Sequence, residues 1–155
     1  MKKISILIGR QVHFWLKPII YLLINNSNRA RVLLNYKDQV LLVKGYISDN
    51  TWSFPGGGVR KNESIEEGLI REIEEETKIN LEKEQLIFVS KLQIKYLIFK
   101  QNIYLYKVEL TKKPPITLRK YEISDSIWFN QKELKEYKFN KYNRLYLKQF
   151  VPLFK

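Results

Sequence analysis

The sequence predicts a single α/β domain in which helices sandwich one mixed sheet. Three observations lead there. Runs rich in β-branched and aromatic residues lie before and after one central helical stretch, and further helical stretches close the chain. A chain of 155 residues suits one core, and 45% hydrophobic with 14% aromatic residues is enough to fill it. No Pro-, Gly- or Ser-rich linker divides the chain, and no internal repeat is present.

The elements follow in order. Residues 1–28, MKKISILIGRQVHFWLKPIIYLLINNSN, begin with two lysines and an apolar run in the manner of a signal peptide, but Ile4–Ile8 is short for that role and Arg10 interrupts it. A spanning helix takes about 20 mostly apolar residues. Arg10, His13, Lys17 and Pro18 break any such run, so no stable membrane span is expected. The segment reads as two short apolar, helical elements, the second started or bent by Pro18, that pack on the domain formed by 29–155. Phe14, Trp15 and Tyr21 among cations give an interfacial anchor as the alternative.

RARVLLNYKDQVLLVKGY reads as two strands joined by a turn at Lys37-Asp38-Gln39. TWSFP is a short extended piece with Trp52 and Phe54 on one side of the alternation, and Gly56–Gly58 form a loop. NESIEEGLIREIEEETKI is helical, capped by Asn62 or Ser64, with acids in its first turn. QLIFVSKLQIKYLIFKQNIYLYKVEL carries one or more hairpins. TKKPPI is a loop, since Pro114 and Pro115 cannot feed a strand ladder. YEISDSIWFN leads from a loop into a strand seated by Trp128 and Phe129. QKELKEY is a short helix, and KYNRLYLKQFVPLF a C-terminal helix ending near Pro152.

Composition narrows the chemistry. No cysteine is present, which excludes disulfides and thiolate metal sites and fits a reducing compartment, so a cytoplasmic location is expected. With one histidine, a metal would need oxygen ligands, which points to Mg²⁺, Mn²⁺ or Ca²⁺. The net charge is +12, but residues 60–90 hold 9 acids against 5 bases in an otherwise basic chain. A basic surface favours polyanionic partners such as nucleotides or RNA. The acidic island needs its own reason.

On a helical wheel at about 100° per residue, Ile65, Leu69, Ile70 and Ile73 fall in one arc that faces the core. Glu72, Glu75 and Glu76 fall in an adjoining arc, and Glu74 points away to solvent. Three carboxylates on one side of a helix repel one another unless a cation sits among them, and hard divalent cations suit that place. Gly68, inside the helix and one turn before Glu72, suggests close approach of another backbone, with the Gly56–Gly58 loop the candidate.

The spacing is Gly57, five residues, Glu63, seven residues, Arg71-Glu72-Ile73, one residue, Glu75-Glu76, one residue, Lys78-Ile79. It resembles the Nudix box, G-x5-E-x7-R-E-U-x-E-E-x-G-U, where U is a bulky aliphatic residue. One position departs: Lys78 stands where the box has the glycine that ends the helix, so the local turn is where this chain differs. VLLVKG and W-x-F-P-G-G-G before the helix, and EISDSIWF after it, are also in the family's style, and the resemblance covers roughly residues 29–136.

The resemblance implies an α/β/α sandwich with a mixed sheet, and hydrolysis of a nucleoside diphosphate linked to another group X with Mg²⁺ or Mn²⁺. Carried over, Glu72, Glu75 and Glu76 hold metal, Gly57 offers it a carbonyl, and Glu63 and Arg71 pair to brace the loop against the helix. Family members differ in which glutamate is the base: Glu75 and Glu72 are the catalytic candidates inside the box and Glu122 the one outside it. Metals neutralise phosphate charge and lower the pKa of a bound water, and a nearby carboxylate takes its proton.

For substrate, Tyr46, Trp52 and Phe54 offer aromatic faces to a base or ribose, with one of Trp52 and Phe54 assigned to the core, and Arg60 offers charge to phosphate. A small nucleotide-type phosphoanhydride is the expected partner. The basic C-terminal part makes an RNA 5′ end the alternative, and a basic nucleotide- or RNA-binding module without turnover is the non-enzymatic one. Three clustered carboxylates argue against the latter. Dimers are common among such relatives, and the Tyr- and Ile-rich strands allow a homodimer.

Overall fold

A computed structural model describes residues 27–46, 51–96, 99–134, 137 and 139–153. The expected N-terminal elements, with His13 and the possible anchor, lie outside these residues. Among the described residues no helix is long and apolar enough to cross a membrane.

Six strands form one sheet: β1 (Ser27–Tyr36), β2 (Gln39–Gly45), β3 (Trp52–Ser53), β4 (Ile87–Tyr96), β5 (Phe99–Glu109) and β6 (Ile123–Asn130). Their order is β3-β2-β1-β5-β4, with β6 also on β2. β1 and β5 run parallel from Ser27↔Gln101 to Asn35↔Glu109, while every other pair is antiparallel. The sheet is therefore mixed, as expected. The long Ile- and Tyr-rich stretch makes one hairpin, β4–β5, and the first strand starts at Ser27, inside the stretch read as N-terminal.

Two faces are covered. Helix α1 (Ile65–Thr77) lies on one face, where Leu69 and Ile73 pack with Ala30, Val32, Leu34, Leu41, Tyr106 and Val108. On the other face Leu33, Val40, Leu42, Ile103 and Leu105 meet Leu134 from the short α2 (Gln131–Leu134) and Tyr146, Leu147 and Phe150 from α3 (Lys141–Phe150). The alternation of strand side chains does this directly: odd and even residues of β1 serve different layers. Trp128 and Phe129 pack against opposite layers and seat β6, as expected.

Phe54 is a core residue, as expected for one of Trp52 and Phe54, and this corrects its alternative reading as a substrate contact. Its side chain is fully buried, its ring stacked 5.9 Å from that of Phe139 and edge-on 4.9 Å from that of Phe150. An aromatic closed in on all sides by hydrocarbon contributes to the core and cannot reach a ligand.

One departure from a regular sheet creates the site. β1 and β2 are paired only at Asn35↔Val40 and Tyr36↔Gln39. Further along β1 the backbone bonds to the glycine loop instead: Ala30 N–H donates to Gly57 O at 3.0 Å, Val32 N–H to Pro55 O at 3.0 Å, and Val59 N–H to Asn28 O at 2.9 Å. The loop thus runs between two diverging strands and opens a cleft at the end of the sheet.

Candidate active site

The phase of α1 is set at its ends. Ser64 caps it, accepting from Glu67 N–H at 3.2 Å while Glu67 Oε2 accepts from Ser64 N–H at 2.7 Å. Of the two caps the sequence offered, Ser64 is the one used. The helix stops at Lys78, which adopts the left-handed conformation at φ 60°, ψ 21° and donates its N–H to Glu74 O. Lysine therefore adopts the left-handed conformation expected of the glycine that ends the helix in the box.

Arg71 organises the acids. Its guanidinium donates to Glu63 Oε1 at 2.6 Å and Oε2 at 3.1 Å, to Gly58 O at 2.9 Å, to Glu72 Oε1 at 2.9 Å and to Glu75 Oε1 at 3.3 Å. The expected Glu63–Arg71 pair is thus present, and it ties the loop to the helix. The Arg71 hydrogen bonds hold the Glu63 carboxyl down at about 2, and Glu63 in turn raises Arg71.

Two carboxylates reach the cleft from α1. Glu76 is buried and accepts from Gly56 N–H at 3.0 Å; burial pushes its pKa up to about 7, against the pull of Arg31 and of that N–H. Glu72 lies against Gly57, where a Cβ would come within 2.5 Å of the Glu72 carboxyl carbon. Gly57 is glycine because the carboxylate occupies the space a side chain would need. The Gly57 carbonyl already accepts from Ala30 N–H, and its second lone pair remains for a ligand.

Gly68 differs from its expected reason. A Cβ there would meet the Val59 methyls at 3.0 and 3.1 Å and Glu63 Oε2 at 3.0 Å, so it is side chains rather than the glycine backbone that crowd it.

The cleft holds about 810 Å³ and is lined by Arg29, Arg31, Gly56–Gly58, Glu72, Glu76 and the strap 119–123, with Val43, Gly45 and Ser53 as its floor. The strap is fastened to the end of α1: Thr117 N–H donates to Thr77 O at 3.0 Å and Arg119 N–H to Glu76 O at 3.2 Å. This places Glu122 at the mouth, half-exposed and 2.9 Å from Arg119. Glu75 sits at the edge, its carboxylate 2.6 Å from Arg119, 3.3 Å from Arg71 and 3.5 Å from Arg60. Among the described residues no three carboxylates converge on one point, because Glu75 is turned to these arginines. On the helix Glu75 stands about one turn from Glu72 and next to Glu76. An all-oxygen set with one buried carboxylate and a glycine cradle fits a hard divalent cation.

A family model for the NUDIX domain matches residues 26–150. The chain belongs to the NUDIX domain family. Among solved structures, this NUDIX chain is similar to a MutT NUDIX hydrolase from Burkholderia pseudomallei, at 20% identity and a TM-score of 0.69 over 80% of this chain and 97% of that one. It is also similar to the NUDIX domain of Shewanella oneidensis NrtR complexed with ADP ribose, at 14% identity and a TM-score of 0.71 over 84% and 89% of the two chains. At such identities the likeness concerns the fold. A curated relative, the RNA pyrophosphohydrolase of Pasteurella multocida (strain Pm70), is 38% identical over 69 residues, which is 44% of this chain and 34% of that protein. The NUDIX chain therefore matches about a third of the length of such relatives.

The aromatic residues expected at the substrate do not line this NUDIX cleft. Trp52 is partly buried against the α3-side core with Lys44 Nζ 5.2 Å over its ring. Tyr46 is partly buried and is held through its backbone N–H to Glu122 O at 3.0 Å. Arg60 is exposed and pairs with Glu63 and Glu75 outside the cleft. Conversely, Arg29, Arg31, Arg119 and Tyr121 were not singled out from the sequence. Tyr121 is 89% exposed at the cleft mouth with φ 78°. The one available signal was Arg-Ala-Arg at the start of an otherwise apolar strand.

Proposed function

We propose that this chain hydrolyses a phosphoanhydride bond in a nucleoside diphosphate linked to another group, with Mg²⁺ or Mn²⁺ held by Glu72, Glu75, Glu76 and the Gly57 carbonyl. The observation that carries this reading is the seating of Glu72 and Glu76 in one cleft with Gly57, alongside cationic residues of β1 and the strap. A pocket lined by both carboxylates and guanidinium groups accepts a cation and a polyanion together. When bound, the metal would neutralise phosphate charge and supply a water of lowered pKa.

The chain's own residues do the rest. Arg71 and Glu63 keep the glycine loop and α1 in register. Glu75 and Glu122 both contact Arg119, so either carboxylate, once released from it, stands at the cleft mouth to accept the proton of an attacking water.

A second reading, that X is an RNA 5′ end, is favoured by one feature. Lys141, Arg144 and Lys148 line an exposed groove of about 340 Å³ along α3, which offers positive charge to a phosphate backbone.

The test is release of phosphate or nucleotide from a panel of ADP-ribose, dinucleoside polyphosphates, nucleotide sugars, nucleoside triphosphates and 5′-triphosphate RNA, with Mg²⁺, with Mn²⁺ and with neither. Expected is metal-dependent turnover on one class, lowered about 100-fold or more in Glu75→Gln. Bound nucleotide without turnover on any compound would favour the non-catalytic module.

A further inference from the structure

We propose that Arg29 is an anion-binding residue of the cleft, donating through its guanidinium to a phosphate group of the substrate. The inference rests on the phosphoanhydride reading for the identity of its ligand.

β1 alternates. Ala30, Val32 and Leu34 enter the core beneath α1, so Arg29 and Arg31 leave the strand on the opposite face, which they share with buried Leu33. Two like charges on adjacent same-face positions repel. Burial pushes the Arg29 guanidinium down to about 10, and Arg31 adds to the effect.

The two arginines have different circumstances. Arg31 is spoken for: it donates to Phe54 O at 3.2 Å and to Gly56 O, pinning the chain that leads into the glycine loop. Arg29 Nε is buried with no hydrogen-bond partner. A buried donor without an acceptor is costly and rare, and it calls for a missing partner.

Arg29 lines the cleft together with Gly57, Gly58, Glu72 and Glu76, and the two carboxylates are near enough to favour its charged form. A guanidinium presents a planar fork of donors that matches the oxygens of a phosphate. The carboxylates take the cation, and Arg29 takes anionic oxygen of the same ligand. A plain alternative is that Arg29 only balances the charge of Glu72 and Glu76. In that role Arg29→Lys, which keeps the charge, binds pyrophosphate as the wild type does, whereas a guanidinium that donates to phosphate through its fork makes Arg29→Lys weaker.

The experiment is calorimetric titration of inorganic pyrophosphate into the full chain with divalent cations chelated. The wild type, Arg29→Gln, Arg29→Lys and the surface control Lys132→Gln are compared. The wild type and Lys132→Gln are expected to bind alike, with Arg29→Gln about 10- to 100-fold weaker and Arg29→Lys between them. Equal binding by wild type and Arg29→Gln, or none by the wild type, overturns the proposal. If Arg29→Gln does not fold, the rise in thermal midpoint with pyrophosphate is read on Arg29→Lys; a rise equal to that of the wild type overturns it.

Turnover separates this inference from the function on which it rests. Pyrophosphate held through Arg29 without turnover on any substrate leaves the subsite and removes the hydrolase. Metal-dependent turnover with an unchanged KM and unchanged pyrophosphate binding in Arg29→Gln does the reverse.

Discussion

Gly57 and Glu72 occupy one space between them: the Glu72 carboxylate fills the volume that any side chain at 57 would need. Gly57→Ala must therefore move the flexible end of Glu72. The expected result is a loss of stability under about 1 kcal/mol with a fall in activity of about 100-fold, because a small displacement of a catalytic group is enough. Gly56→Ala makes the contrast. Gly56 has φ 122°, and its added Cβ would run into the backbone carbonyl of Ala30 and come within 3.1 Å of Leu69 Cδ1. Backbone cannot rotate away, so a loss of about 2–4 kcal/mol is expected. Urea unfolding of both variants beside their kinetics checks the pair; equal stability losses would sink the distinction.

The Glu63–Arg71 pair gives a pH signature. Glu63 titrates at about 2 when folded, below its ordinary value of 4.5. A carboxyl with a depressed folded pKa contributes stability above its unfolded pKa and loses it as pH falls toward the folded one. Glu63→Gln is thus expected to be less stable by about 1–2 kcal/mol at pH 7, with the gap to the wild type closing between 4.5 and about 2. A gap that stays constant down to acid pH would show that the charge of Glu63 is not what matters.

Lys78 offers a gain. It holds φ 60° at the end of α1, a conformation that costs a non-glycine residue about 1–2 kcal/mol. Lys78→Gly relieves that and adds unfolded-state entropy, so a net stabilisation of about 0.5–1 kcal/mol is expected, with turnover unchanged. A lower urea midpoint in the variant would mean that the lysine side chain has a role of its own.

Arg119 sits where a metal would draw Glu75 away. Its guanidinium is 2.6 Å from Glu75 and 2.9 Å from Glu122. The pair is half-exposed and so contributes little, and Arg119→Gln should tighten Mn²⁺ binding by about 2- to 5-fold in the absence of substrate. Calorimetry with Mn²⁺ reads this directly. Unchanged or weaker binding would show that Arg119 does not compete with the cation.

Much was legible in the sequence because it is local. A helix has a fixed period, so the core stripe of Leu69 and Ile73 and the neighbouring arc of Glu72, Glu75 and Glu76 follow from spacing alone. Strand alternation likewise determines the two layers of the core. The cap is narrowed to Asn62 or Ser64 by residue type, while the Glu63–Arg71 pair and the role of Gly57 come only through the resemblance to the Nudix box, since no helical period reaches across the loop that separates them from α1.

Tertiary structure alone decided the rest, because it depended on which distant segments meet. Phe54 and Arg31 are 23 residues apart, yet one is sealed in the core while the other reaches that residue's carbonyl. No periodicity tells an aromatic that faces a ligand from one that faces two other rings. The parting of β1 from β2 is a matter of backbone pairing, which side-chain pattern does not encode, and it is this parting that lets the glycine loop in and opens the cleft. The strap's arrival at the end of α1, more than 40 residues along the chain, then sets Arg119 on Glu75. The sequence by itself determined a sheet between helices and an acidic helix face suited to a cation. Folding decided what that face looks out on, since long-range contacts are chosen by the packing of the whole core and not by any segment alone.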